Sequence, residues 1–188
     1  MQFLLIFASL LFSPLFFYQR YFLIGRPISN IPTGYSLRNN IGVKQIADID
    51  ELRLQERISV RKANELKRNL AQGKRCFIAL KDDDIVGYSW LSFQPDADIK
   101  LPKETAFIFG DYILPNFRGK EIHAALTVER LRFIEKSKYQ RVAALVSVNN
   151  TSARRAFEKI GFTEERKMVY VKIPWLNWCY TKAVSNNI

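Results

Sequence analysis

The sequence predicts an α+β domain in αβα layers, with helices packed on a mixed, mostly antiparallel central sheet that contains one βαβ unit. Three observations lead there. Residues 75–80 and 85–93 are β-rich runs joined by Lys81-Asp82-Asp83-Asp84, a hairpin signal. Residues 105–114 and 142–148 read as strands on either side of a helical stretch from about 120 to 138, and a strand–helix–strand of that length joins parallel neighbours. The 188 residues leave room for one ordinary domain and a short extension, not for two independent cores.

In chain order, the first seventeen residues carry no charge and are rich in Leu and Phe. As a helix, residues 3–17 reach only about 22 Å, short of the roughly 30 Å hydrocarbon core of a bilayer. Extending the helix to Ile24 would cross it but bury Gln19 and Arg20, which is unfavourable. A signal peptide fits poorly, because a basic start and a small-residue cleavage site are both missing. Three readings stay open: a marginal anchor through residues 1–24 that leaves the domain on the cytoplasmic face, a segment lying in the membrane interface, or a strand or helix packed on the domain. Arg20 and Arg26 set the orientation in the first case. Residues 27–34, with two prolines and a glycine, read as linker. The expected organisation is an apolar segment and linker over residues 1–29, a folded domain over 30–173, and an aromatic tail over 174–188 for which packing on the domain is the default.

Residues 35–38 are a short strand candidate. Val43, Ile46, Ile49 and Leu52 recur at helical spacing, as do Ala63, Leu66 and Leu70 before Gly73, a natural helix stop. Pro115 ends the strand over 105–114, since proline cannot donate to a ladder. The run 142–148 is continuously apolar, as a strand covered on both faces requires. Thr151 and Ser152 are N-cap candidates for a short helix that stops near Gly161, and residues 165–173 make the last strand.

Composition narrows the chemistry. The chain is 48% hydrophobic and 25% charged, an ordinary globular balance. Its net charge of +11 favours anionic partners such as a nucleotide coenzyme, an acidic protein or a membrane surface. No nucleic-acid motif accompanies the charge, so nucleic acid is not the expected partner. A single histidine, His123, excludes a multi-histidine metal centre, and no metal is expected. Cys76 and Cys179 suit neither a disulfide framework nor a metal site, so the expected setting is reducing and cytoplasmic.

The informative stretch is Leu114-Pro115-Asn116-Phe117-Arg118-Gly119-Lys120-Glu121-Ile122-His123. A strand ends, the chain turns through Arg-Gly-Lys, and a helix begins whose free N–H groups and dipole attract anions. After the next strand come Asn150, Ala153, and Gly161-Phe162. With Ile113, Pro115 and Arg118 these match, in order and spacing, a strand ending in aliphatic-x-Pro, an Arg-x-x-Gly-x-Gly/Ala turn, and a later Asn, small-residue helix and Gly-Phe. In this the segment from about 35 to 173 resembles the GNAT superfamily of acyl-CoA-dependent N-acetyltransferases. Cys76-Phe77-Ile78-Ala79 and Ile85-Val86-Gly87-Tyr88 look like that family's central hairpin.

The resemblance implies an acyltransferase that moves an acetyl or longer acyl group from acyl-CoA, a co-substrate, to an amine of a small molecule or sugar by direct attack. It implies pantetheine between splayed strands, held by backbone groups of Ile113 and Leu114, and pyrophosphate at Arg118, Gly119, Lys120, Glu121, Ile122 and His123. Asn150 and Phe157 complete the coenzyme set. Asp111, which shares the face of Ile113 at period-two spacing, is the first candidate base, although a strand-end carboxylate also suits a salt bridge. Tyr112 and Glu56 follow it. Two departures point to an alternative, a weakened or inactive binding module of the same fold. The family's turn glycines are Glu121 and His123 here. Phe157 stands where many members carry a tyrosine whose hydroxyl protonates the leaving thiolate, and its stripe with Ala153, Ala156 and Ile160 also suits core packing. His123 could bond a phosphate, face the substrate or lie plainly on the surface.

Overall fold

Eight strands form one sheet in the order β2-β3-β4-β5-β6-β1-β7-β8. They are β1 (Phe17–Pro27), β2 (Ile41–Ile46), β3 (Arg75–Lys81), β4 (Asp84–Ser92), β5 (Thr105–Ile113), β6 (Arg141–Ser147), β7 (Thr163–Ile173) and β8 (Trp178–Val184). Three helices accompany them: α1 (Val60–Ala71), α2 (Ile122–Glu135) and α3 (Thr151–Glu158). The computed structural model describes residues 17–32, 41–48, 60–94, 99, 101–173 and 178–184. Among these residues only β5 and β6, the strands joined through α2, pair in parallel; every other neighbouring pair is antiparallel.

The hairpin β3–β4 closes through Asp82 and Asp83, both at positive φ (49° and 67°). That is the primed turn which matches strand twist, and Asp tolerates it better than most residues. α1 ends as its pattern predicts, with Gly73 at φ 74° just beyond it. α2 and α3 cover one face, where the largest apolar cluster joins Ile122, Leu126, Leu131, Ile134, Phe157 and Phe162 to the sheet residues Ile24, Phe77, Val86, Ile108 and Val146. α1 covers the other face at one end, over Ile46, Cys76, Ile78, Tyr88 and Trp90. Burial pushes the Cys76 thiol up to about 12, so it behaves as a small apolar side chain.

The most consequential difference from the sequence reading is β1. The expected boundary at residue 29 leaves this segment outside the domain, with anchor, interfacial segment and packed strand or helix all open. Instead β1 lies between β6 and β7, pairing with Arg141–Ser147 on one edge and with β7 on the other. Phe22 and Ile24 face the α2/α3 layer, while Leu23 faces the opposite one beside Phe107, Ala143 and Met168. Of the three readings for the apolar segment, the strand packed on the domain holds for residues 17–27, and those residues of the 1–24 anchor reading that are described belong to this interior strand. Burial on both faces makes residues 21–25 of this strand apolar, and composition alone does not separate such a stretch from part of a membrane segment. Arg26, read as a membrane flank, is buried and donates to the carbonyls of Pro27, Ser29, Asn30 and Ile160, tying β1 to the end of α3. No helix among the described residues is long and apolar enough to cross a membrane.

Smaller corrections follow the same logic. Val43 and Ile46 lie on a strand rather than a helix, because pairing with β3 outweighs their three-residue spacing. α3 is capped by Asn150, not Thr151 or Ser152: its Oδ1 accepts from the Ala153 amide at 3.1 Å. β7 is not the last strand, since β8 pairs beyond it in the tail. The candidates at 35–38, Ile49, Leu52 and Glu56 lie outside the described residues.

Because β1 is an interior strand, a chain beginning at residue 28 should lose cooperative unfolding altogether. In the full chain, Leu23→Ala should destabilise by about 2–5 kcal/mol. Circular-dichroism melts check both, and a shortened chain that unfolds as cooperatively as the full one would contradict this placement.

Candidate functional site

The site arises where the one parallel pair stops. β5 and β6 pair only from Thr105↔Arg141 to Ile108↔Ala144, and beyond that they separate. Each strand keeps its outer partner: β5 stays on β4 as far as Ile113, and β6 stays on β1 as far as Ser147. The gap opens into a cavity of about 970 Å³ lined by residues 108–113, 117–119, 121–124, 144–147 and the facing side of α3.

A bulge in β5 aims the key side chain. The β4–β5 register shifts between Tyr88 and Trp90, leaving Gly110 and Asp111 opposite Ser89 alone. Gly110 has φ 65°, and a Cβ there would meet Trp90 at 3.0 Å, so glycine suits this bulge. Ile108, before the bulge, and Ile113, after it, both pack in the α2-side core, and Asp111 meets α2 on the same side.

There Asp111 meets Arg130. The guanidinium donates to both carboxylate oxygens, Nη1 to Oδ1 at 2.7 Å and Nη2 to Oδ2 at 3.2 Å. It also donates to the carbonyls of Trp90 and Leu126 and to Thr127 Oγ1, so this fully buried cation is well satisfied. His123 Nε2 lies 3.0 Å from Asp111 Oδ2. Burial by itself raises the Asp111 carboxyl, but the Arg130 charge and the His123 hydrogen bond outweigh it and hold the group below the ordinary carboxylate value. The His123 ring packs edge-on against Phe157, with centroids 4.6 Å apart, and its Nδ1 is buried with no hydrogen-bond partner. Arg130 escaped the sequence reading. Its only signal is its place on the helical face of His123 and Thr127, and nearby Arg132, which is exposed, looks the same in sequence.

The turn between β5 and α2 runs through a 3₁₀ segment at Pro115–Phe117, an extended Arg118, and Gly119 at φ 76°. Glu121 then stands immediately before α2 in the left-handed region at φ 60°, and its side chain makes no cap. Glycine fits this conformation freely, whereas a residue with a Cβ is strained by about 1–2 kcal/mol.

Other predicted residues fall as follows. Asp111, Tyr112, Ile113, Arg118, Gly119, Glu121, Ile122, His123, Asn150 and Phe157 all line the cavity, together with Ser147, Arg155 and Lys159, which the sequence reading did not single out. Leu114 and Lys120 are not among the lining residues. The Leu114 amide donates to the Val86 carbonyl at 2.9 Å, and Lys120 Nζ lies 4.9 Å from the centre of the Phe117 ring. The Ile113 carbonyl accepts from Arg118 Nε at 3.3 Å. Tyr112 is 40% exposed and packs on Tyr88. Phe157 is buried against Phe162 as well as His123, so it serves core and cavity wall together. Among the described residues no group of three or more His, Cys, Asp or Glu could hold a metal ion.

Two outcomes follow. Glu121→Gly should raise the melting temperature by about 2–4 °C for each kcal/mol of strain relieved; an unchanged or lower value would show that the left-handed residue carries no strain. Asp111, held low when folded, contributes stability that is fully present above its unfolded value of about 3.9 and is lost as pH falls through its lower folded value. Denaturant titrations should therefore show an acid-side loss of stability that Asp111→Asn flattens, whereas identical acid limbs would count against the Arg130 pair.

The comparisons agree with this architecture. The model of the "Acetyltransferase (GNAT) family" matches residues 43–162. No curated protein matches the chain. Among solved structures, a Drosophila protein aligns with TM-score 0.65 at 11% identity, covering 92% of this chain and 58% of its own length. AAC(6')-Iy, in complex with the bisubstrate analogue CoA-S-monomethyl-acetylneamine, aligns with TM-score 0.51 at 20% identity, covering 68% of this chain and 94% of its own. An aminoglycoside acetyltransferase from an uncultured soil metagenomic sample, in complex with sisomicin, aligns with TM-score 0.53 at 16% identity, covering 67% and 90%. At these identities the likeness is one of fold. The family match spans well over half of the sequence, and the chain belongs to the GNAT acetyltransferase family.

Proposed function

We propose that this protein transfers an acetyl or longer acyl group from acyl-CoA to an amine of a small-molecule or sugar acceptor, by direct attack on the thioester. The observation that carries this reading is the parting of β5 from β6 after Ile108 and Ala144. Backbone N–H and C=O groups on the two facing edges there have no strand partner, and such groups need satisfaction. An amide-bearing arm the length of pantetheine supplies alternating donors and acceptors, much as an added strand would. The start of α2 then faces the pyrophosphate with free amides and the helix dipole, and Arg118 on the cavity wall adds positive charge. Lys120, exposed beside Phe117, contributes from the rim.

The amine acceptor has support from relatives in the fold, whose ligands include CoA-S-monomethyl-acetylneamine and sisomicin. Tyr112, exposed on the cavity wall, is our candidate for contact with the acceptor. Asp111 is committed to Arg130 and His123, so we assign it an orienting and electrostatic part rather than that of the free base. The setting that belongs with this reading is the reducing cytoplasm, which suits two cysteines without a disulfide framework.

A second reading, a binding module without turnover, is favoured by the Glu121 carboxylate beside the phosphate position and by the missing hydroxyl at Phe157. Thermal unfolding with acetyl-CoA, against dephospho-CoA and ATP, tests the first reading. A ligand that binds only the folded state adds about 2.7 kcal/mol at a hundredfold excess over its Kd. Stabilisation by acetyl-CoA that Arg118→Ala weakens is the expected result. Its absence in a cooperatively folding protein would overturn coenzyme use, while binding without thiol release across an amine panel would favour the second reading.

A further inference from the structure

We infer that His123 is the proton-transfer residue of this site, its Nδ1 taking the proton of the attacking amine and returning it to the departing thiolate. This rests on the acyl-CoA reading above. Three observations lead to it. His123 lines the cavity and has only 17% of its side chain exposed. Its Nε2 is engaged by Asp111 Oδ2 at 3.0 Å, which makes Nε2 the protonated nitrogen and leaves Nδ1 with a bare lone pair. That Nδ1 is buried with no hydrogen-bond partner, an arrangement that costs stability unless a ligand or reacting group completes it.

Its surroundings fit the task. The facing wall at Phe157 offers no hydroxyl, and Asp111 is tied up by Arg130, so neither competes for the proton. Arg130 donates to both Asp111 oxygens and so prevents the carboxylate from taking the proton itself. Glu121 and Arg118 line the cavity from the turn, and Arg155 and Lys159 from α3; they tune the local field without bonding the ring. Asp111 and Arg130 are thus positioning residues. Thr127 Oγ1 donates to the His123 carbonyl at 2.8 Å and accepts from Arg130, locking the same helical turn.

The chemistry balances. A neutral amine attacks the thioester carbon, a C–N bond forms, and the carbonyl pair moves to oxygen. Nδ1 takes one proton from the new ammonium. The carbonyl re-forms, the C–S bond breaks with its pair on sulfur, and the imidazolium gives that proton to the thiolate. Amide and free thiol result, and the imidazole is again neutral.

His123 is the chain's single histidine, so its ¹⁵N resonances in histidine-labelled full-length protein are unambiguous. At neutral pH they should report protonated Nε2 and bare Nδ1, with Nδ1 shifting on addition of acetyl-CoA. Asp111→Asn should abolish the tautomer preference, a change that packing alone would not produce. With acetyl-CoA and sisomicin, glucosamine or spermidine as amines, His123→Gln should lower kcat by roughly 10²–10⁴-fold, well beyond any change in acetyl-CoA binding, and remove the acid limb of its pH profile. A protonated Nδ1 across the pH range overturns the inference. So does an Nδ1 resonance indifferent to bound acetyl-CoA, a variant within threefold of native kcat, or a loss confined to coenzyme binding. Native protein that acetyl-CoA fails to stabilise would instead sink the acyl-CoA reading, and the tautomer measurement would still stand by itself.

Discussion

Two parallel strands can part in mid-sheet only if each is secured along its other edge, and the rest of this site depends on that constraint. β5 is held by β4, and β6 is held along its whole length by β1. Without β1, the open stretch of β6 would be unpaired on both edges, and a strand in that state has little reason to stay extended. The apolar N-terminal strand therefore does its work at a distance from the cavity. It fixes the wall that the coenzyme arm would meet, and it anchors the turn after α3 through the buried Arg26.

The second organising element is the chain Arg130–Asp111–His123. A fully buried guanidinium is tolerable only when its donors are satisfied, and here two carboxylate oxygens, two backbone carbonyls and a threonine hydroxyl meet that demand. The bulge at Gly110 is what brings the carboxylate to α2. Core packing and site geometry are thus coupled: the same helix that fills the largest apolar cluster also carries His123, Thr127 and Arg130 on one face.

The turn before α2 shows the opposite balance. Its backbone is shaped as a glycine-rich anion loop would be, with left-handed residues at Gly119 and Glu121, yet the second of these is a glutamate. Local strain of this kind persists only where surrounding structure enforces it, and such places concentrate at functional sites. Positive charge from Arg118 and the helix start offsets the added carboxylate in the field a phosphate would feel.

The sequence by itself determined much of the fold. The hairpin residues Asp82 and Asp83, the stop at Gly73, the continuous apolar run of β6 and the βαβ spacing are local signals, each set by turn chemistry or by burial on one or two faces. The family motif from Ile113 to Phe162 also named several of the residues that line the cavity. Only the tertiary structure decided the rest. A buried edge-to-edge partner leaves no mark on a segment's own composition, so β1 could equally be read as a membrane segment. Likewise nothing local separates Arg130 from Arg132, or a salt-bridged Asp111 from a free base. Those roles follow from which side chains the bulge and the helix bring within 3 Å of each other, and contacts between residues far apart in sequence exist only once the chain has folded.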